Sequence, residues 1–327
     1  MMFFMMLLFS FLFSFSSNNL MLIWVSLEMN MIFFLPLLMN KFYYKINSLT
    51  MMKYFIIQSI SSMVFFFSLI NLMLNKMELM KLNYYTIMMS MLMKLGLPPF
   101  SLWYINLMNN MNWIKCMILS ILQKMIPLYI LMKSIMFNPF IMIIIIYSSM
   151  QSVINGMSQI LLKSLMTYSS INHLSWMLLL MMLMEKFMIK YMIMYSLLSF
   201  KIMYLFHYYS MTSLNMLNKK KILIFIKLII FISMLSLAGL PPLMGFLLKW
   251  FSLKYIMMMN YQYLIILIFL LINSTFSFIY YLNIFIPFMM MFNFKNKIFN
   301  MKFEKFMMWM LMILFTSLYF MFLEHLM

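Results

Sequence analysis

Apolar segments follow one another along almost the whole chain, from Phe3 to Leu323, with only short polar joints between them. A helix that crosses a bilayer needs about 20 mostly apolar residues, and a chain built of such runs has few other ways to fold. With 67% hydrophobic and 9% charged residues, there is too little polar surface to coat a water-soluble globule. The pattern predicts an all-α polytopic membrane protein with about eleven transmembrane helices. In order, the segments are Phe3–Phe15, Leu20–Leu38, Tyr54–Leu74, Tyr84–Asn112, Trp113–Met132, Phe140–Asn155, Tyr168–Met184 and Met188–Tyr208. A ninth begins near Ile222, and Tyr263–Phe285 and Phe306–Leu323 complete the set.

Two of these segments are interrupted in the same way. One reads Lys94-Leu95-Gly96-Leu97-Pro98-Pro99-Phe100; the other, Ser236–Trp250, contains Gly239, Pro241, Pro242, Gly245 and Lys249. Proline has no backbone donor and its ring clashes with the preceding turn, so paired prolines beside glycine open a helix. In lipid, the freed carbonyls are tolerated only where protein or a water-filled cavity receives them. A broken helix carrying a buried ammonium is therefore a candidate ion path. Two such breaks at matching places in two halves point to inverted repeats of the transporter kind. The repeats are expected at about 1–135 and 137–288, with a final helix at about 306–323, all within one membrane domain spanning 1–327.

The few polar residues inside the segments are the candidates for chemistry. Glu28 sits at the centre of the second segment, one turn after Trp24, where a carboxyl group is costly and by default marks a site. The other reading is a protonated, hydrogen-bonded glutamic acid with a packing role. Lys94 immediately precedes the first break, with apolar helix on its N-terminal side, so snorkelling to the interface is hard to sustain. Lys124 lies in Gln123-Lys124-Met125-Ile126-Pro127, where Pro127 frees the Gln123 carbonyl. That suits a proton carrier, or equally a kink whose carbonyl the lysine satisfies. His173 closes the stretch Tyr168-Ser169-Ser170-Ile171-Asn172-His173. A lone helical histidine is more often a packing residue, but the hydroxyls and the amide around it strengthen a relay reading.

Charge and cysteine usage narrow the classes further. All 23 basic residues are lysine, aspartate is absent, and the net charge of +18 is spread over loops, which excludes a nucleic-acid stripe. The lysines instead set orientation and meet anionic headgroups. Lys41, Lys45, Lys53, Lys115, Lys163, Lys219, Lys220, Lys221, Lys295, Lys297, Lys302 and Lys305 fall on one side. Lys76, Lys81, Lys133, Lys186, Lys190 and Lys254 fall on the other. The richer side is expected inside, with the N-terminus inside and the C-terminus outside. Cys116 stands alone, so no internal disulfide or cysteine-rich metal centre is expected. Met1 opens straight into an apolar segment with no visible presequence. The 53 methionines reflect the coding bias of an A+T-rich organelle genome and pack as flexible aliphatics, so they do not single out a copper site.

Taken in order, several motifs resemble one family. They are Trp24-Val25-Ser26-Leu27-Glu28-Met29-Asn30, Lys94-Leu95-Gly96 before Pro-Pro-Phe, and Gln123-Lys124 before Ile-Pro. Tyr168-Ser169-Ser170-Ile171 with His173 and Trp176 follows, then Leu240-Pro241-Pro242 through Gly245-Phe246 to Lys249-Trp250. Over essentially the whole chain this resembles the subunit 2 family of NADH dehydrogenase (ubiquinone), the mitochondrially encoded, antiporter-like membrane subunits of respiratory complex I. The coding bias resembles an insect's. The resemblance implies two inverted five-helix bundles, each with a broken helix, the first truncated at its N-terminus in animals, in the mitochondrial inner membrane. It carries a glutamate–lysine pair onto Glu28 and Lys94, a central relay lysine onto Lys124 and a terminal lysine onto Lys249, with His173 and Ser101 as accessory positions. Ser101 stands where the family usually has histidine, and Lys163 where it has arginine.

By that resemblance the chain takes part in proton translocation driven by quinone reduction elsewhere in a complex. It is part of an enzyme but carries no redox centre of its own. NADH, FMN, iron–sulfur clusters and ubiquinone are expected in partner subunits, and the partners are other membrane-arm subunits, anionic lipids and protons. The rival readings are a structural spacer whose charges brace helices, and a self-standing cation/proton antiporter.

Overall fold

The computed structural model describes residues 2–39, 44–74, 80–134, 139–183, 185–214, 216, 224–240, 243–259 and 263–290. Over these residues the chain is a bundle of α-helices: α1 (Met2–Ser16), α2 (Leu20–Leu38), α3 (Tyr44–Met73), α4 (Met80–Leu95) and α5 (Leu102–Asn110). They are followed by α6 (Trp113–Met117), a π-helical turn (Ile118–Leu122), α7 (Gln123–Ser134), α8 (Pro139–Met157), α9 (Leu162–Leu183) and α10 (Glu185–Tyr208). The last three are α11 (Ile224–Ala238), α12 (Met244–Met259) and α13 (Leu264–Met290). Among the described residues the only β-pairing is an isolated antiparallel bridge between Leu161 and Ser213. Among the described residues, six stretches are long and apolar enough to cross a membrane, namely Leu20–Leu38, Ser48–Met73, Trp113–Ser134, Phe140–Met157, Glu185–Tyr208 and Leu264–Asn283. The outer face carries apolar side chains such as Leu12, Ile32, Met63, Ile143, Ile154 and Ile265, as suits a chain whose surroundings are lipid.

Helix α9 is the axis of the bundle. It packs against α8, α10, α5 and α12, and from Leu162 to Met181 every residue except Lys163 is buried. Seven of those buried positions are Ser164, Thr167, Ser169, Ser170, Asn172, His173 and Ser175. Their hydroxyls bond back along their own helix: Thr167 to the Ser164 carbonyl at 2.6 Å, Ser169 to Met166 at 2.8 Å, Ser170 to Thr167 at 2.7 Å and Ser175 to Asn172 at 2.6 Å. Back-bonding of this kind lets a hydroxyl sit in an apolar interior with its donor satisfied.

Lysines fasten helix ends. Lys115 donates to the Leu38 and Met39 carbonyls at 2.8 and 2.9 Å, at the C-terminus of α2. Lys163 donates to the Met111 carbonyl at 2.6 Å and the Asn109 carbonyl at 3.4 Å, just past α5. Lys133 reaches the Ser17 carbonyl at 3.4 Å, at the opposite end of α2. Cations at helix C-termini satisfy the last carbonyls and complement the dipole.

Helix α2 has the bounds that hydropathy gives it, other bounds shift by up to a few residues, and two helix starts shift the most. The third segment begins at Tyr44 rather than Tyr54, and the seventh at Leu162 rather than Tyr168. In both, the helix starts in polar sequence that a hydropathy reading discards. The joint expected around Gly156, Gln159 and Lys163 is correspondingly shorter, since Gly156 lies in α8 and Lys163 in α9. Pro241 and Pro242, Lys41, Lys76, the Lys219–Lys221 run, the lysines from Lys295 to Lys305 and the segment Phe306–Leu323 lie outside the described residues.

Candidate functional site

The first break is built around Gly96. Helix α4 stops at Leu95, and Gly96 turns the chain with φ +68°, a left-handed conformation that costs a side chain dearly. Space is a second constraint: a Cβ at Gly96 would lie 2.7 Å from Tyr104 Cβ. Beyond it come Pro98 and Pro99, and α5 resumes at Leu102. The carbonyl of Met93 is not left bare, because the Trp103 indole Nε1 donates to it at 3.1 Å and the Gly96 N–H at 3.2 Å. Lys94, in the last turn of α4, is buried within the bundle.

Lys94 shares a small polar cavity with Lys124. Its walls also carry Tyr54, Gln58, Trp103, Tyr104 and Gln123, and it has space for about a single water molecule. The charge of Glu28 reaches Lys94, yet among the described residues no direct ion pair joins them; Glu28 is half-buried on the flank of α2. The pair is coupled through space rather than clamped.

Lys124 arrives at the cavity through an irregularity. The π-helical turn lets the Gln123 N–H reach back to the Ile118 carbonyl, five residues earlier. Such turns break the regular ladder and recur at functional sites. Lys124 Nζ is buried with no hydrogen-bond partner among the described residues, 4.6 Å above the centre of the Tyr104 ring. The ring face is a weak site for a cation. The Tyr104 hydroxyl in turn shares a 3.0 Å hydrogen bond with Ser170 Oγ of α9. Next to Lys124, the Gln123 carboxamide makes a reciprocal pair with Asn30 of α2. Asn30 Nδ2 donates to Gln123 Oε1 at 2.9 Å and Gln123 Nε2 donates to Asn30 Oδ1 at 3.1 Å. The Tyr54 hydroxyl donates to the same Oε1 at 3.2 Å.

The second break has its own lysine. Helix α11 ends at Ala238, Gly239 turns with φ +86°, and its N–H donates to the Leu235 carbonyl at 3.1 Å. Lys249, a turn into α12, folds back so that Nζ donates to the Ala238 carbonyl at 2.6 Å. Its stem lies against Gly239: a Cβ there would meet Lys249 Nζ at 2.9 Å, Cε at 3.0 Å and Cδ at 3.1 Å. The lysine thus satisfies a carbonyl that the break frees. Gly245 is needed for the same junction, since a Cβ on it would overlap the Ser236 carbonyl oxygen.

His173 feels the charge of lysines from both halves of the chain. It is buried in α9, its Nδ1 is 2.8 Å from the Tyr191 hydroxyl, and it lies within electrostatic reach of both Lys249 and Lys124. Ser101 is fully buried, but its hydroxyl points to Gln151 Oε1 of α8 at 3.4 Å, and it does not line the cavity of Lys94 and Lys124. The hydrogen bonds of Lys163 among the described residues go to backbone carbonyls, acceptors that a single-point ammonium serves as well as a forked guanidinium, and its Nζ lies 5.9 Å from the centre of the Trp113 ring. Sequence reasoning passed over Lys201 of α10, which is buried with no hydrogen-bond partner for its Nζ among the described residues; its place inside an apolar segment was the available signal. It also missed Asn30, Tyr54, Gln58 and Tyr104, which become neighbours of the lysines only through packing.

Comparisons with known proteins show the family and the fold. Residues 17–277 match the family described as NADH:quinone oxidoreductase/Mrp antiporter, transmembrane. The chain is 35% identical over 268 residues to NADH-ubiquinone oxidoreductase chain 2 of Anopheles gambiae, covering 80% of this chain and 78% of that relative. Its fold matches a chain of respiratory complex I from Thermus thermophilus with a TM-score of 0.74 at 20% identity, over 86% of this chain and 68% of the other. It also matches a chain of the Mrp complex from Dietzia with a TM-score of 0.76 at 13% identity, over 86% and 59%. A buried row of lysines, two broken helices and this match along most of its length converge: the chain belongs to the NADH-ubiquinone oxidoreductase chain 2 family of antiporter-like membrane proteins.

Proposed function

We propose that this chain is a membrane-arm subunit of respiratory complex I in the mitochondrial inner membrane. There it takes part in proton translocation coupled to NADH:ubiquinone oxidoreduction through Glu28, Lys94, Lys124, His173 and Lys249. The observation that carries the reading is the polar cavity into which both Lys94 and Lys124 open. Two like charges sharing one small enclosed space repel, so protonation of one favours release from the other. A carboxylate in range holds an ammonium's proton more tightly, so a change in the Glu28–Lys94 separation gates the first step. His173, within electrostatic reach of Lys124 and Lys249, would bridge the second, a role that this reach supports. Each proton moves against about 2.3 kcal/mol per 100 mV of membrane potential, a scale that modest changes in pairing within a dry interior can meet.

The electron-transfer groups then belong to partner subunits, and the chain completes two inverted repeats of about 1–135 and 137–288 and a last crossing at about 306–323. A purely structural brace is less well supported, because among the described residues Glu28 and Lys94 make no direct ion pair and Lys124 Nζ has no hydrogen-bond partner.

The decisive variant is Lys124→Met. It keeps most of the side chain's length and removes a charge whose central burial costs about 2.5–3.5 kcal/mol on insertion scales. Assembly is expected to be retained or improved, while coupled quinone reduction and proton pumping fall. Lys124→Arg is expected not to rescue them, since a guanidinium does not release its proton on this cycle. Normal pumping in assembled Lys124→Met complexes would remove the relay.

A further inference from the structure

We infer that Asn30 and Gln123 are positioning residues: their paired amides fix Lys124 in the cavity and tie its placement to the helix that carries Glu28. This rests on the relay reading above and adds to it two uncharged side chains that carry no proton themselves.

Three observations support the assignment. The first is saturation. Gln123 Oε1 accepts from both Asn30 Nδ2 and Tyr54 Oη, which uses both lone pairs, and Gln123 Nε2 donates back to Asn30. A reciprocal amide pair in an apolar interior opens only by leaving buried donors and acceptors bare, so it acts as a stiff link. The second is location. The pair sits where the π-helical turn interrupts the regular backbone ladder, immediately before Lys124. The backbone there defines the direction of the lysine less firmly than a regular helix would, and the side-chain pair supplies what is missing. The third is connection. Asn30 and Glu28 are two residues apart on α2, so they project about 200° apart around that helix. One reaches Gln123 and the other acts on Lys94 by charge. Helix α2 therefore touches both lysine stations, one through space and one through hydrogen bonds. A displacement of α2 changes the Glu28–Lys94 separation and the placement of Lys124 together.

The test uses the intact purified complex with Asn30→Ala, Gln123→Ala, the double variant, and the exchange Asn30→Gln with Gln123→Asn. The exchange retains both amides and their summed reach. Two readouts are taken: thermal inactivation of the assembled complex, and the pH profile of coupled turnover. Each alanine variant is expected to lower coupled turnover roughly three- to tenfold, the scale of coupling between contacting residues, and to displace the pH profile. The double variant is expected to be no worse than the poorer single one, and the exchange to restore most of the rate and the original profile. Additive losses, or an unchanged pH profile in the alanine variants, would overturn the inference. Should the alanine variants fail to assemble, the exchange decides alone: an assembled exchange complex with the original profile supports it, and one without coupled turnover sinks it. Failure of the relay reads differently, as normal pumping in Lys124→Met with non-additive thermal inactivation still present between Asn30 and Gln123.

Discussion

Gly239 is retained for a reason beyond its backbone angle. Its missing side chain is the slot in which the Lys249 stem lies, and the ammonium at the end of that stem holds the Ala238 carbonyl. Gly239→Ala therefore has two costs: a left-handed residue with a Cβ, about 1–2 kcal/mol, and displacement of the lysine. Coupled turnover is expected to fall in Gly239→Ala, and much of that loss to vanish when it is compared in a Lys249→Met background. A loss of the same size in both backgrounds would mean the glycine serves the backbone alone. Glu28→Gln is the matching change at the other break. Because no direct ion pair is lost, assembly is expected to stay near normal while pumping per electron pair declines. Loss of the assembled complex with normal turnover in the remainder would favour a brace.

Among elements, the lysine-capped helix ends explain how a chain with many positive charges settles in a membrane. Lys115 closes the C-terminus of α2 and Lys163 the end of α5, each by bonding to backbone carbonyls. Lys115→Ala is expected to lower thermal stability by about 0.3–1 kcal/mol, the usual size of a charge at a helix terminus, with little effect on turnover. The elements were unevenly legible in the sequence. Leu20–Leu38 is apolar throughout and its hydropathy bounds are its structural bounds. The breaks were legible at Gly96 and Gly239 because a proline pair beside glycine has few other uses. Helix α9 begins earlier than hydropathy suggests, because protein rather than lipid shields its serines. The cavity was half legible: Lys94 and Lys124 declare themselves as charges in apolar runs. Tyr54 and Gln58 look like ordinary residues of another helix until packing brings them alongside.

For the whole molecule, three lysines among the described residues mark the two ends of the bundle. Lys115 and Lys163 gather at the end where α2 finishes, and Lys133 at the end where it starts. If the positive-inside tendency holds for this chain, the first end is expected to face the matrix. Sealed mitoplasts are expected to protect the Lys219–Lys221 loop from added protease, and cleavage there would invert the topology. A different consequence follows from the axial helix. Stripped of its neighbours, α9 would present serines, an asparagine and a histidine to hydrocarbon, so it is a poor candidate to leave the insertion machinery alone. Synthesis would hold it back until α10 emerges, and the two would enter the bilayer as one hairpin against α8. A nascent chain ending after Leu183 should therefore be extracted or degraded, whereas one extended through Tyr208 should be retained, which would make the emergence of α10, in the middle of the chain, the checkpoint in biogenesis.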